Sequence, residues 1–239
     1  MVAMLSDIGN VRKLNEDYVD YYEKDDLRLY IVADGMGGHN AGEIASKMAV
    51  DSTIEYIKKL GDLPCEKVGD ILKKAVKYAN EKIYTYSKSS ENLSGMGTTI
   101  TACIIKDNNI SIANVGDSSC FLIKADGITK VTKDHSLVQQ LVDSGTITEE
   151  EAMTHPNKNI ITRALGTSEF VDVDIFDLKL TGVIKGILST DGLTNSVSAY
   201  EIYDIIMKND NEASCEKLVE LSKLKGSRDN ISIIVFEGE

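Results

Sequence analysis

The chain has 239 residues, 42% of them hydrophobic, and a formal net charge of -12. That length and apolar content suit one core of ordinary size, and with Pro64 and Pro156 the only prolines, nothing reads as a linker. The excess of acid argues against a nucleic-acid backbone or an anionic membrane as partner, because such a surface repels both on average.

In chain order, 18–34 reads as two strands with a turn at Lys24-Asp25-Asp26. Leu27, Leu29 and Ile31 alternate before Val32 and Ala33 make the run wholly apolar. From 42 to 60 the period turns helical, with Val50, Ile54 and Ile57 on one face. A second helix is expected over 66–87, carrying Val68, Ile71, Leu72, Ala75, Ala79 and Ile83 on one side. Strands follow at 97–106, 109–115 and 118–124, with Asn/Asp/Gly turns that suit antiparallel hairpins. Ser136 and Gln139 predict a capping box for a short helix over 136–142, and Gly145 its end. The polar segment 145–168 is irregular apart from a helical turn at 148–153; loops of that length are usually functional or mobile. Strands at 170–177 and 183–190, helices at 198–208 and 212–224, and a strand at 231–236 complete the chain. Strands then helices then strands, without strict alternation, predict an α+β fold with mostly antiparallel sheets.

Cys65, Cys103, Cys120 and Cys215 are too scattered for a CxxC motif and read as reduced, mostly buried thiols of a cytoplasmic protein. Asp7 and Arg12 interrupt any signal-peptide core, and no apolar run approaches transmembrane length.

Three aspartates sit where apolar runs end or begin: Asp34 after LRLYIVA, Asp191 after VIKGILST, and Asp229 before NISIIVF. If those strand ends converge, their carboxylates form one acidic pocket. At ~5 Å and an effective dielectric of ~20, each pair repels by about 3 kcal/mol, a cost that a divalent cation turns into attraction. The pattern therefore points to a metal-dependent hydrolase. Upstream, Arg12 lies close to Glu16 and Asp17: an arginine binds phosphate bidentately, and paired carboxylates bind a metal or its waters. Taken alone, this stretch is better explained by an exposed polar loop. The glycine-rich run after Asp34 opens a helix, but it fits neither GxGxxG (Asn40 stands where the last glycine should be) nor a P-loop. With a metal on Asp34, its glycines let backbone approach the ion, and the Gly35 carbonyl becomes a ligand. The small residues of SGMGTT and NVGDS could reflect close strand packing alone, and Asp-Gly and Asp-Asn are common turn dipeptides.

Taken together, SDIGNVRKLNED, VADGMGGHNAGE, SGMGTT, NVGDS, DHSLVQQLVDSGTITEEEA, HPNKNIITRALG, LSTDGL and GSRDNIS stand in an order and spacing that resemble the PPM family. These are the type-2C metal-dependent serine/threonine protein phosphatases, and the resemblance is strongest to the compact, single-domain bacterial branch. It spans 6–236. It implies a four-layer α-β-β-α sandwich of two antiparallel sheets flanked by helix pairs, a single domain over 1–239, and a flap at about 145–168. It also implies that Asp34 bridges two Mn2+ or Mg2+ ions, with the Gly35 carbonyl on one site and Asp191 and Asp229 on the other. Glu16 and Asp17 hold metal-bound waters, and Asp117 with Asp191 holds a weaker third ion. Arg12 binds the phosphate. A metal-bridging hydroxide attacks phosphorus in line, with no covalent intermediate. Hard oxygen ligands favour manganese or magnesium over zinc. Met36 stands where other members read Asp-Gly-His, which leaves His39 or metal-bound water as the general acid. The implied activity is hydrolysis of phosphoserine and phosphothreonine in proteins, with a bacterial serine/threonine kinase as opposing partner and a monomer as the working state. A non-catalytic binding module of the same fold and a small-molecule phosphomonoesterase are the alternatives. Asp134-His135-Ser136 is not read as a triad, because consecutive side chains diverge; helix entry explains Ser136, and His155 reads as a surface or packing residue.

Overall fold

The strand run LRLYIVADGM is apolar on both faces because both faces are covered. Leu29, Ile31 and Ala33 point into one apolar layer, and Tyr30 and Val32 into another. The same alternation recurs in ISIIVFE, where Ile231, Ile233 and Val235 face one layer and Ile234 and Phe236 the other. Strands buried on two sides are the mark of a sandwich covered outside by helices.

The structure, a computed structural model, describes residues 1–37, 41–61 and 67–238. The expectations that rest on His39, Asn40, Pro64, Cys65 and Glu66 lie outside the described residues. In chain order the elements are β1 (Val2–Asp7), β2 (Asp17–Lys24), β3 (Leu27–Met36), α1 (Gly42–Leu60), α2 (Val68–Ser87), β4 (Gly97–Thr98), β5 (Ile100–Lys106), β6 (Asn109–Val115), β7 (Ser119–Lys124), β8 (Gly127–Lys130), α3 (Leu137–Asp143), α4 (Glu149–Thr154), β9 (Asp174–Lys179), β10 (Val183–Ser189), α5 (Asp191–Thr194), α6 (Ala199–Lys208), α7 (Asn211–Leu224) and β11 (Ile231–Glu237).

One sheet runs β1-β11-β10-β7-β8; the other runs β2-β3-β5-β6-β9, with β4 added beside β3. Every pairing is antiparallel. Helices α1 and α2 cover the second sheet through Ala45, Ala49, Val50, Leu72, Ala75 and Ile83. Helices α6 and α7 cover the first through Ile202, Ile206, Leu218 and Val219. Between the sheets, Tyr30 stacks on Phe236 with ring centroids 4.5 Å apart, a pairing worth about 1 kcal/mol beyond its buried area. The result is the expected four-layer α-β-β-α sandwich.

Several local expectations need correction. β1 and β8 are edge strands that periodicity did not reveal. They have six and four residues, and neither carries more than one fully buried side chain. The strand expected at 170–177 forms later, as Asp174–Lys179, and Phe170 is left 82% exposed. Only half of the Ser136 capping box forms. Ser136 Oγ accepts from the Gln139 amide at 3.2 Å, but the Gln139 side chain donates to Asp143 instead. Complete boxes stand at Thr148–Glu151 and Ser198–Glu201, where a glutamate carboxylate accepts back from the cap amide. Cys103, Cys120 and Cys215 are buried free thiols, and burial pushes the Cys215 pKa up to about 12. Among the described residues, no helix is long and apolar enough to cross a membrane.

Candidate metal centre

The two sheets bring five chain segments to one end of the sandwich. Asp17 opens β2 and is the direct register partner of Asp34 on β3. Asp117 lies in the turn between β6 and β7, Asp191 begins α5 directly after β10, and Asp229 precedes β11. A cavity of about 270 Å³ opens there, walled by Arg12, Glu16, Asp34, Gly35, Asp117, Asp191 and Asp229. Of the eight described residues that the resemblance assigns to metal or phosphate binding, Asp17 alone is off that wall. It is buried beneath it, accepting a hydrogen bond from Thr190 Oγ1 at 2.8 Å. Asn159 and Ile161 complete the wall from the segment read as a flap.

Polar groups from other segments hold the backbone or side chains of several site residues. Thr99 Oγ1 accepts from the Asp34 amide at 2.9 Å, and Thr98 Oγ1 donates to the Asp34 carbonyl at 2.9 Å. Thr99 also bonds Ser118 at 2.8 Å, so the SGMGTT and NVGDS strings form one buried hydroxyl network that pins the β3 backbone. Asn195 Nδ2 donates to Asp191 at 2.8 Å. Asn230 ties the loop carrying Arg12 to β11: its Oδ1 accepts from the Glu16 amide at 2.9 Å, and its Nδ2 donates to the carbonyls of Ile8 and Leu14, each at 3.0 Å. Of these, Thr190 and Asn230 had a legible signal, being neighbours in sequence of Asp191 and Asp229.

Gly35 is required by close approach. A Cβ there would collide with the carbonyl oxygens of Gly42 and Glu16, and its own amide donates to that Glu16 carbonyl at 3.0 Å. Gly116 combines φ +110° with a Cβ direction that runs 2.5 Å from Thr99 Cγ2, so only glycine carries the turn that presents Asp117. That turn is also held from the other side. The Gly116 amide donates to His135 Nδ1 at 3.0 Å, which leaves His135 Nε2 as the donor to Asp174 Oδ2 at 3.1 Å. Asp174 also takes Arg163 Nη1 at 2.6 Å. His135 is therefore a buried structural residue, and Ser136 is a helix cap, as expected.

The carboxylates are costly in each other's company. Asp34, Asp117 and Asp191 show part of their surface to the cavity, while protein encloses the rest. Burial, then mutual repulsion, pushes Asp17 up to about 7, Asp117 to about 8 and Asp191 to about 6, and Asp34 well above its ordinary 3.8. Asp34 and Asp191 raise each other's cost of ionisation, so the two titrate as a linked pair. Burial and the neighbouring Glu43 raise Glu16. Asp17 Oδ1, Asp191 Oδ1 and Glu43 Oε2 are buried oxygens without a hydrogen-bond partner among the described residues. Arg12 Nη2 offsets part of this by bonding Asp229 Oδ2 at 2.7 Å.

Orphaned, hard, anionic oxygens around a small polar cavity fit divalent manganese or magnesium. Among the described residues, no three such groups close on a single point as a dry ligand cage does. Thr190 then matters as the group that orients Asp17. Thr190→Val should keep the fold and cost about 10-fold or more in metal affinity, the range for residues that orient ligands. A calorimetric Mn2+ titration indistinguishable from wild type would remove Thr190 from the site.

Known proteins share this sequence pattern and this fold. The family description "Protein phosphatase 2C" matches residues 10–217. The serine/threonine phosphatase stp of Listeria welshimeri is 39% identical over 235 residues, covering 97% of this chain and 93% of that protein. The crystal structure of the serine/threonine phosphatase Stp1 from Staphylococcus aureus superposes with a TM-score of 0.95 at 34% identity, covering 100% of this chain and 94% of that one. The catalytic domain of the phosphatase PstP, solved with 2 manganese ions, has a TM-score of 0.85 at 33% identity over 98% of this chain and 96% of that one. With its sandwich, its convergent carboxylates and these relatives, the chain belongs to the protein phosphatase 2C family and is a protein serine/threonine phosphatase.

Proposed function

We propose that the chain hydrolyses phosphoserine and phosphothreonine in proteins with the help of Mn2+ or Mg2+. The observation that carries this reading is the ring of buried carboxylates, whose raised pKa values and orphaned oxygens demand positive charge. Asp34, the Gly35 carbonyl, Asp191 and Asp229 would hold two ions, Asp117 with Asp191 a third, and Glu16 and Asp17 would hold the ions' waters. Bound there, the ions supply Lewis acidity, which lowers the pKa of water towards neutrality and offsets the charge of the phosphoryl group.

The chain's own residues do the rest. Thr98 and Thr99 fix the Asp34 backbone, and Thr190 fixes the Asp17 carboxylate, so the site is organised before substrate arrives. Arg12 spends one of its five N–H donors on Asp229 and is half-exposed, leaving donors for the non-bridging phosphate oxygens. Residues 1–239 act as one phosphatase domain, with 145–168 as a flap whose Asn159 and Ile161 border the cavity. We place the enzyme in the cytoplasm as a monomer, opposing a serine/threonine kinase. The serine/threonine phosphatase names of the relatives support the opposing kinase, and a net charge of -12 makes an anionic membrane surface a poor partner.

The direct test is turnover of a phosphothreonine peptide against a panel of sugar and nucleotide phosphates, with and without chelator. Chelator-sensitive turnover that favours the peptide is expected. Preference for a small phosphate ester would favour a metabolite phosphatase, and inactivity on every substrate with Mn2+ supplied would favour a binding module.

A further inference from the structure

A second cavity, of about 500 Å³, adjoins the metal centre and shares Asn159 and Asp229 with it. Its cations come from separate parts of the chain: Lys158 from the flap segment, and Lys225 and Arg228 from the loop between α7 and β11. The single acid on its wall, Asp229, is already bonded to Arg12. Lys225 is neutralised by Glu201 at 2.6 Å. Lys158 and Arg228 have no side-chain ion pair or hydrogen bond among the described residues.

Arg228 is exposed, but its backbone is fixed on both sides. Ser227 Oγ donates to the Gly192 carbonyl at 2.8 Å, and the Asn230 amide donates to Asp229 Oδ1 at 2.9 Å. The remaining polar wall includes Asn195, which also bonds Asp191 in the metal centre. In a chain of net charge -12, two unpaired cations converging beside an acidic catalytic pocket form a local reversal of sign. Fields of this kind raise the local concentration of an oppositely charged group and fix its register.

Building on the phosphatase reading above, we propose that this cavity is a specificity subsite for a second anionic group of the substrate, next to the phosphorylated residue. A glutamate or aspartate carboxylate and a second phosphate share the required chemistry. Lys158 and Arg228 bind that group, and the shared wall at Asn159 and Asp229 sets its distance from the phosphoryl group being cleaved.

The test uses three synthetic phosphothreonine peptides that differ only beside the phosphothreonine, carrying glutamates on both sides, a second phosphothreonine, or alanines. With Mn2+ supplied, wild-type kcat/KM for an anionic peptide should exceed that for the alanine peptide by about 10-fold, and the better of the two identifies the anion. Arg228→Gln and Lys158→Gln should each shrink that ratio to about 3-fold or less, and Arg228→Lys should retain most of it. Because the ratio is taken within each variant, a general loss of activity or stability cancels. Equal kcat/KM for all three peptides, or a ratio unchanged in Arg228→Gln and Lys158→Gln, overturns the subsite and leaves the phosphatase reading standing. Failure to dephosphorylate any peptide overturns both.

Discussion

Asp34→Asn is expected to reduce Mn2+-dependent turnover of p-nitrophenyl phosphate by at least about 1000-fold, equivalent to about 4 kcal/mol of lost transition-state stabilisation. The substitution keeps the size of the side chain, and the bonds from Thr98 and Thr99 go to the Asp34 backbone, so the fold should survive. The stability of the metal-free protein should move the other way. Asp34 is pushed well above its ordinary pKa by burial and by the charges of Asp17 and Asp191, so at neutral pH it is a strained group. An asparagine there needs neither a buried charge nor a proton that the unfolded chain would release at this pH, so the cost disappears. The metal-free variant should therefore melt a few degrees above metal-free wild type at pH 7.5 while losing the stabilisation Mn2+ confers. A purely structural aspartate would behave oppositely, with lower melting temperature and activity retained in proportion to folded protein. Retained turnover would refute the bridging role. Arg12→Ala offers a contrast: KM for the phosphate ester should rise by about 10-fold or more with metal affinity little changed.

Metal and pH should act on stability through the same carboxylates. Asp17, Asp117 and Asp191 have an ordinary pKa of 3.8 and stand at about 7, 8 and 6 in the folded chain. Between those limits the folded state holds more protons than the unfolded chain, so metal-free stability falls as pH rises. The contribution is most favourable at the acid end of that window and is lost as pH climbs through the folded values. Toward the lower end, Asp7 and Asp174 begin to oppose it, because their folded pKa values are lowered and their stabilisation fades with acid. Metal-free melting temperature should thus be higher near pH 6 than at pH 8. Mn2+ binds the deprotonated carboxylates, so its stabilisation should be larger at pH 8. At 100-fold excess over its dissociation constant, one ion contributes about 2.7 kcal/mol, or roughly 5–10 °C for a chain of this size. Differential scanning at both pH values with and without Mn2+ reads all four conditions. A metal-free melting temperature that rises with pH would contradict the repulsion inferred from the carboxylate ring.

Asp34, Asp191 and Asp229 were visible as chemistry because each interrupts an apolar run, and an aspartate at a strand end needs a reason. Long two-sided strands such as β3 and β11 were equally legible, since both faces are apolar when helices cover one and a second sheet the other. β1 and β8 were not: at a sheet edge a short strand owes its conformation to its neighbour's hydrogen bonds more than to its own composition. The Ser136 box misled because Gln139 had a competing acceptor in Asp143, one turn further on.

The residue types and their order, by themselves, determined the family, the sandwich and the kind of ion that so many carboxylates require. Only the tertiary structure decided which groups stand behind the ligands. Thr190 bonds Asp17 from 173 positions away, and Thr99 holds Asp34 from 65 away. A hydroxyl in a strand looks the same in sequence whether it meets water, a neighbouring carbonyl or a buried carboxylate. Hydrogen bonds reach only about 3 Å, so what a side chain does is settled by which distant segment the packing brings within that reach.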